Sequence, residues 1–251
     1  MNHATENTMA PQENHIPADI ETASEDYAQR FSGAAGRWML KVQKRITLSM
    51  IQRAKPSAIL DVGGGHGQLA APLAENGYAV TVTGSALSCK NRLEQFIESG
   101  RISFVLNKNK RLPFENKAFE TVICFRLLPH SPDWPELIKE LCRTSSDSVI
   151  VDYPTIQSLN RFAGSLFRAK KKLEGNTRPF TLFRHVEIEN VFNGEGFEIE
   201  RRTGEFMLPM VLHRSLRCAP LSSLLEQGFR ITGLTKRFGS PVISHLKRKQ
   251  K

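Results

Sequence analysis

The chain has 251 residues, 40% of them hydrophobic, which suits one α/β domain with additions and allows a continuous buried core. Its longest apolar runs, such as residues 122–125 and 206–212, fall well short of the ~20 residues that a membrane-spanning helix needs, so an integral helical membrane protein is excluded. The net charge of +10 is concentrated at one end: residues 201–251 hold eleven Lys/Arg against two acids, Glu205 and Glu226.

Residues 1–25 carry five acids and no Lys or Arg, the opposite of a secretory or transit peptide, and read as a disordered leader on a cytoplasmic protein. The folded domain is expected over 26–251. A helix is predicted over 26–54 from the spacing of Phe31, Trp38, Met39, Val42, Ile46 and Met50, with Pro56 ending it. Residues 58–62 form a short apolar run that enters a glycine-rich turn at 63–67, the pattern of a buried strand feeding a loop. Helix 68–76, strand 78–83, helix 88–99, strands 102–106 and 121–125, helix 135–144 and strand 148–153 follow. This alternation calls for a mainly parallel sheet covered on both faces, a Rossmann-like α/β fold with seven strands. Residues 154–184 are basic and punctuated by Gly175, Asn176 and Pro179, and read as a lid or substrate insertion. Beyond it come helix 185–193, strand 197–202, helix 221–231 and a last strand at 241–246. Cys89, Cys124, Cys142 and Cys218 are scattered, without a CxxC pair or a histidine at ligand spacing, so reduced thiols and no metal are expected.

The most informative segment runs Ile59-Leu-Asp-Val-Gly-Gly-Gly-His-Gly-Gln68. Glycines admit φ > 0 and remove the Cβ, so a ligand can lie against backbone N–H groups that open toward a helix start. Asp61, two residues before Gly63, can accept bonds from an ammonium, which suits a zwitterionic amino-acid ligand. A dinucleotide fingerprint would instead require an acid about twenty residues on, where Thr83-Gly84-Ser85 stands.

In these residues the sequence resembles the class I S-adenosylmethionine-dependent methyltransferases, in particular the small-molecule group that includes ubiquinone- and menaquinone-pathway members. The resemblance covers about residues 26–153. Asp61, Gly63, Gly65 and Gly67 match the acid-x-Gly-x-Gly-x-Gly signature that holds the methionine end of the cofactor. Leu112-Pro113-Phe114 with strand 119–124, the loop from Arg126 to His130 and helix 136–143 match its later segments, and Tyr27-Ala-Gln-Arg-Phe31 its cofactor-covering helix. The resemblance thus implies S-adenosylmethionine as cofactor, with Tyr27 and Arg126 joining the signature residues around it. Two family positions depart. Ser85 stands in the region of the acid that holds the ribose hydroxyls, and Asn107 and Asn109 in the region of the acid beside the adenine amine.

Methyl transfer from a sulfonium requires alignment of acceptor, methyl and sulfur and, for a hydroxyl acceptor, removal of a proton. His130, after the fourth strand, is the candidate base or a loop histidine holding backbone. Asp152 and Tyr153, at the end of the fifth, are expected to face the same rim, to orient an acceptor or to cap the next helix. Arg178, Arg184 and His185 suit an anionic group on a small or amphipathic acceptor, or are solvated loop residues. Residues 206–214 read as an apolar acceptor pocket or as core. O-methylation of a small molecule leads. RNA methylation is encouraged by the basic end, but neither an Asp/Asn-Pro-Pro-aromatic motif nor an RNA-binding module is visible, so nucleic acid is not the expected partner. A third reading is a degenerate methyltransferase fold serving as a binding module. The basic end itself suits peripheral contact with an anionic surface, or is a solvated tail.

Overall fold

The computed structural model describes residues 17–51, 57–159 and 180–250. Seven strands form one sheet: β1 (Ala58–Val62), β2 (Ala79–Gly84), β3 (Ile102–Leu106), β4 (Phe119–Cys124), β5 (Ser145–Tyr153), β6 (Phe197–Gly204) and β7 (Val242–Arg248). Their spatial order is β3-β2-β1-β4-β5-β7-β6, and all neighbours are parallel except the two pairs made by β7. The fold is the expected Rossmann-like α/β sheet. Strands β1, β4 and β5 lie inside it, which explains the unbroken apolar stretches Ile59-Leu60, Val122-Ile123-Cys124 and Val149-Ile150-Val151 at their centres.

This order positions the site. From β1 the chain winds outward through β2 and β3, then returns on the other side at β4, so the carboxyl ends of β1 and β4 open into a crevice. Because β7 runs against both β5 and β6, β6 is parallel to β5 and ends at the same edge. The register Tyr153↔Val242↔Gly204 places the residue after β6, Glu205, beside that crevice.

Ten helices are described. Those before β2 are α1 (Ala18–Thr22), α2 (Glu25–Gln29), α3 (Gly33–Met50) and α4 (Ala70–Glu75), and α5 (Glu94–Glu98) precedes β3. Next come α6 (Trp134–Thr144) and α7 (His185–Gly194), then α8 (Met210–Leu216), α9 (Ala219–Ile231) and α10 (Leu234–Phe238) between β6 and β7. One face of the sheet packs Ile59, Val82, Ile123 and Ile150 against Ile46 and Met50 of α3 and Leu73 of α4. The other packs Leu60, Val122, Val151 and Tyr153 against Ile138 and Leu141 of α6 and Ile188 and Phe192 of α7. Period-two alternation therefore sends Asp61 and Asp152 to the α3 face and Tyr153 to the α7 face.

Three expectations are corrected. The single helix over 26–54 is two, α2 and α3, because the chain doubles back so tightly that a Cβ on Gly36 would lie 2.1 Å from the Phe31 carbonyl oxygen. The leader ends earlier than residue 25: residues 18–22 are helical and bury Ala18, Asp19 and Thr22, while residues 1–16 lie outside the described residues. The helix over 88–99 begins as a 3₁₀ segment, Leu87–Leu93. Most of the expected lid, residues 160–179, also lies outside the described residues; its two ends are joined by a bridge between Thr155 and Phe183. Among the described residues no helix is long and apolar enough to cross a membrane.

Candidate functional site

The turn after β1 is built around left-handed backbone at Gly63 (φ +74°) and Gly67 (φ +70°), flanking a 3₁₀ turn, Gly64–His66. At Gly64 the need is proximity: a Cβ there would lie 2.2 Å from the Asp61 carboxyl group. The loop thus folds directly over Asp61. That carboxyl is fully buried, and neither oxygen has a hydrogen-bond partner among the described residues. Burial pushes its pKa up to about 7. His66, in the same turn, accepts the Gln68 N–H on Nδ1 at 3.1 Å; burial and then the charges of Arg126 and Arg92 bring its pKa down to about 3, so its ring is neutral.

The centre of the crevice is Arg126, which follows β4 in left-handed backbone (φ +63°). Its N–H donates to Asp152 Oδ1 at 2.6 Å, and its Nε lies 3.4 Å from Asp152 Oδ2. The guanidinium sits over the Phe31 ring at 5.6 Å, and Nη1 reaches Met210 Sδ at 3.9 Å. Burial opposes the charge on Arg126, but Tyr27, Asp152 and Glu205 outweigh it and hold it protonated. Tyr27, Asp152 and Glu205 are each pushed up, chiefly by burial, with Arg126 pulling the other way. Glu205 reaches about 7 and is fully buried, with the Gln43 side chain and the charge of Arg230 also pulling its pKa down. One cation is therefore set among the buried carboxyls of Asp152 and Glu205, with unpartnered Asp61 beside them. Such a site favours a ligand that brings positive charge.

A fourth carboxyl comes from an unforeseen place. Asp19, on α1, accepts the Ser85 N–H on Oδ2 at 2.5 Å and the Ser85 hydroxyl on Oδ1 at 2.8 Å. Its Cβ lies 3.6 Å from where a Gly63 Cβ would be, so α1 packs over the glycine turn and brings an acid to the end of β2.

Comparison with known proteins agrees with this arrangement. The methyltransferase domain family matches residues 34–201, two thirds of the chain. This chain belongs to that family. It is a class I S-adenosylmethionine-dependent methyltransferase domain. No relative among curated proteins matches it. Among solved structures it resembles magnesium protoporphyrin IX methyltransferase from Synechocystis PCC 6803 with bound S-adenosylhomocysteine, at 15% identity over 90% of this chain and 94% of that one, TM-score 0.62. A methyltransferase from Methanosarcina mazei aligns at 15% identity over 82% and 98%, TM-score 0.56. The cyclase SpnF aligns at 15% over 83% and 81%, TM-score 0.57.

The methyltransferase residues singled out from the sequence fall into separate groups. Tyr27, Asp61, Arg126 and Asp152 gather at the crevice with the glycine turn, and Ser85 borders it through Asp19. Gly65 has a packing role as well, since a Cβ there would lie 2.5 Å from the Cys89 carbonyl oxygen. Asn107 spends its side-chain carbonyl on the Asn109 N–H at 3.1 Å, and its amide donates to the Asn109 carbonyl at 3.0 Å, a local turn. The expectation that Tyr153 shares a rim with Asp152 is corrected by strand alternation. Tyr153 is fully buried on the opposite face, with its hydroxyl 3.1 Å from His185 Nδ1 and accepting from Ser244 at 3.2 Å. His185 is thereby tied to the core, while exposed Arg184 caps α7 through its N–H to Glu187 at 2.8 Å. Both residues also line an open pocket with Ile156, Gln157, Val186 and Glu189. His130 ends a 3₁₀ turn, half-buried, with its N–H on the Leu127 carbonyl at 3.0 Å. Arg178 lies outside the described residues.

The Leu112-Pro113-Phe114 match has a structural cause. Arg143 of α6 donates to the Leu112 carbonyl at 2.9 Å and the Phe114 carbonyl at 2.7 Å, and Glu140 accepts the Leu112 N–H at 2.9 Å. The segment is a loop clamped to a helix. Sequence reasoning missed Asp19 and Glu205. The first falls in a stretch read as leader, and the second was counted only as one of two acids in a basic region.

Proposed function

We propose that this methyltransferase methylates an oxygen of a small or amphipathic acceptor held at the carboxyl edge of the sheet, with Glu205 taking the acceptor's proton. The observation that carries the reading is Glu205, a fully buried carboxyl whose charge acts on Arg126 at the carboxyl edge of the sheet, together with the buried, unpartnered carboxyl of Asp61 at the end of β1. S-adenosylmethionine supplies an electrophilic methyl group on a positively charged sulfur and an α-ammonium on its amino-acid end. Asp61 is the residue to receive that ammonium, beneath a glycine turn whose Gly63 and Gly67 N–H groups are held by the Thr83 and Gly64 carbonyls. Asp19 would serve the ribose hydroxyls in place of the acid missing from β2, since its Oδ1 keeps a lone pair beyond the bond to Ser85, whereas Oδ2 also accepts from Cys89 Sγ at 3.7 Å.

Glu205 is fitted to act as base because a carboxyl titrating at about 7 is half ionised at neutral pH and still a stronger proton acceptor than an ordinary glutamate. Asp152 orients Arg126, and Arg126 meets an acidic or oxygen-rich group on the acceptor. Arg184 and Arg178 remain candidates for a more distant anionic group, and His130 is the second candidate base. The neighbouring structures named above include a porphyrin methyltransferase and a cyclase, so the acceptor is argued from the side chains of this chain and not from its fold.

The test is a radiolabelled methyl-transfer screen against phenols, carboxylic acids and amphipathic alcohols, followed by Glu205→Gln on whichever acceptor reacts. Turnover is expected to fall by roughly a hundredfold or more while cofactor affinity holds within about twofold. If His130→Ala gives that signature and Glu205→Gln does not, the base is His130. Reaction with amines alone would refute the oxygen acceptor.

A further inference from the structure

Helix α9 is built with its polar side inward. Its buried side chains are Ser222 and Glu226, whereas Leu221, Leu224, Leu225 and Ile231 stand in solvent at 41, 67, 37 and 79% exposure. The spacing i, i+3, i+4, i+10 collects these four on one face. Gly228 falls on the same face, and a Cβ there would meet nothing within 4 Å. Helix α8 adds Leu212 and Leu216, one turn apart, at 44 and 42%.

The rotation of α9 is fixed. Glu226 accepts the N–H groups of Met207 and Leu208, each at 2.9 Å, and its Oε1 lies 3.0 Å from His213 Nε2. Turning the leucines inward would break all three contacts and expose a buried acid, so their exposure is held in place by the core. The charge around them has one sign. Both acids of residues 201–251, Glu205 and Glu226, are buried at 0 and 2% exposure, so the charges this part of the chain shows to solvent are all cationic. Exposed Arg217 ends α8, and exposed Lys236 and Arg237 lie on α10, which packs against α9.

An apolar helix face bordered, among the described residues of this part of the chain, by cations matches the headgroup region of a negatively charged bilayer, where leucines enter the acyl boundary and Lys/Arg meet lipid phosphates. A second copy of the chain is a poorer match, because a two-fold interface would set the same cations against each other. We propose that α8, α9 and α10 form a docking face for an anionic lipid surface. The proposal stands apart from the reading of the catalytic groups: Met210 of α8 and Arg230 of α9 reach the Arg126 crevice, but none of the exposed leucines, Ile231, Arg217, Lys236 or Arg237 does.

The experiment is sedimentation of the full chain with vesicles of phosphatidylcholine alone or with phosphatidylglycerol added, alongside melting temperature and mass in solution. Binding is expected only to the anionic vesicles. Leu224→Ser with Ile231→Ser should lower it about tenfold or more with the melting temperature unchanged. Lys236→Gln and Arg237→Gln should each lower it about fivefold. Equal binding by the Leu/Ile double variant would overturn the proposal, leaving only diffuse attraction by the basic end. So would a drop of several degrees in its melting temperature, which would mean that the face is covered by this chain itself. A dimer that the same variant dissociates, with no vesicle binding, would assign the face to self-association instead.

Discussion

Asp61 and Glu226 are both buried acids, and their surroundings are opposite. Glu226 receives two backbone N–H groups and faces His213; burial pushes its carboxyl up, but these partners more than offset that and hold it below the ordinary value. Asp61 receives nothing among the described residues and is pushed up to about 7 by burial alone. A carboxylate with its partners inside the protein ties elements together. One without them is a cost to the fold that only a ligand relieves. The same contrast separates the C-terminal helices, whose buried acid is satisfied inside and whose leucines are left outside, from the Arg126 crevice, where the groups left unsatisfied are charged.

The largest effect should come from the satisfied acid. Glu226→Ala leaves the Met207 and Leu208 N–H groups and His213 without their acceptor inside the protein, and is expected to cost about 3–5 kcal/mol of stability in denaturant unfolding. A loss under about 1 kcal/mol would mean that this carboxylate is not the anchor of α9. Because its folded pKa is depressed, the stability it contributes is present above the unfolded value of 4.5 and is lost as pH falls through the folded one.

Asp61→Asn should do the reverse, weakening S-adenosylmethionine binding roughly a hundredfold in calorimetry while leaving the unliganded protein as stable or more so. The pH signs follow from its raised pKa. In the unliganded protein Asp61 keeps its proton up to about 7, against 3.8 unfolded, so its burial costs increasing stability as pH rises from about 4 to about 7 and no more beyond. Cofactor affinity goes the other way: an ammonium needs the ionised form, so affinity should fall by up to about tenfold per unit as pH drops below 7. The asparagine variant should lose both slopes. A wild type whose affinity is flat between pH 5 and 8 would remove Asp61 from the ammonium site.

The strands, their order class and the glycine turn were legible in the sequence because each is local: an apolar run of strand length, an acid at its end, and glycines where the backbone must turn left-handed. Gly64 was less so, because its need is the carboxyl lying 2.2 Å from a would-be Cβ, a contact the signature does not contain. Tyr153 was misassigned by treating two adjacent residues as one rim, although successive strand residues face opposite ways. Glu205 was hidden by composition. It reads as a stray acid in a basic stretch until the antiparallel β7 brings the end of β6 alongside the end of β5. Asp19 is 66 residues from Ser85, and nothing in a leader lacking apolar periodicity signals that separation being closed.

The smallest expected effect concerns that last contact and decides what α1 does. If Asp19 stands in for the acid absent from β2, Asp19→Ala removes two acceptor oxygens from the ribose region and S-adenosylmethionine binding should weaken about tenfold. The same variant also releases Ser85, whose N–H and hydroxyl would then be open to the ligand. If instead the Asp19–Ser85 contact must break before the cofactor enters, the variant removes that competition and affinity should rise. The two roles thus differ in sign as well as size, and calorimetry on wild type, Asp19→Ala and Asp19→Asn separates them. Weaker binding partly restored by asparagine identifies a ribose ligand, because the amide keeps one acceptor. Tighter binding in both variants identifies α1 as a strap that competes with the cofactor for the end of β2.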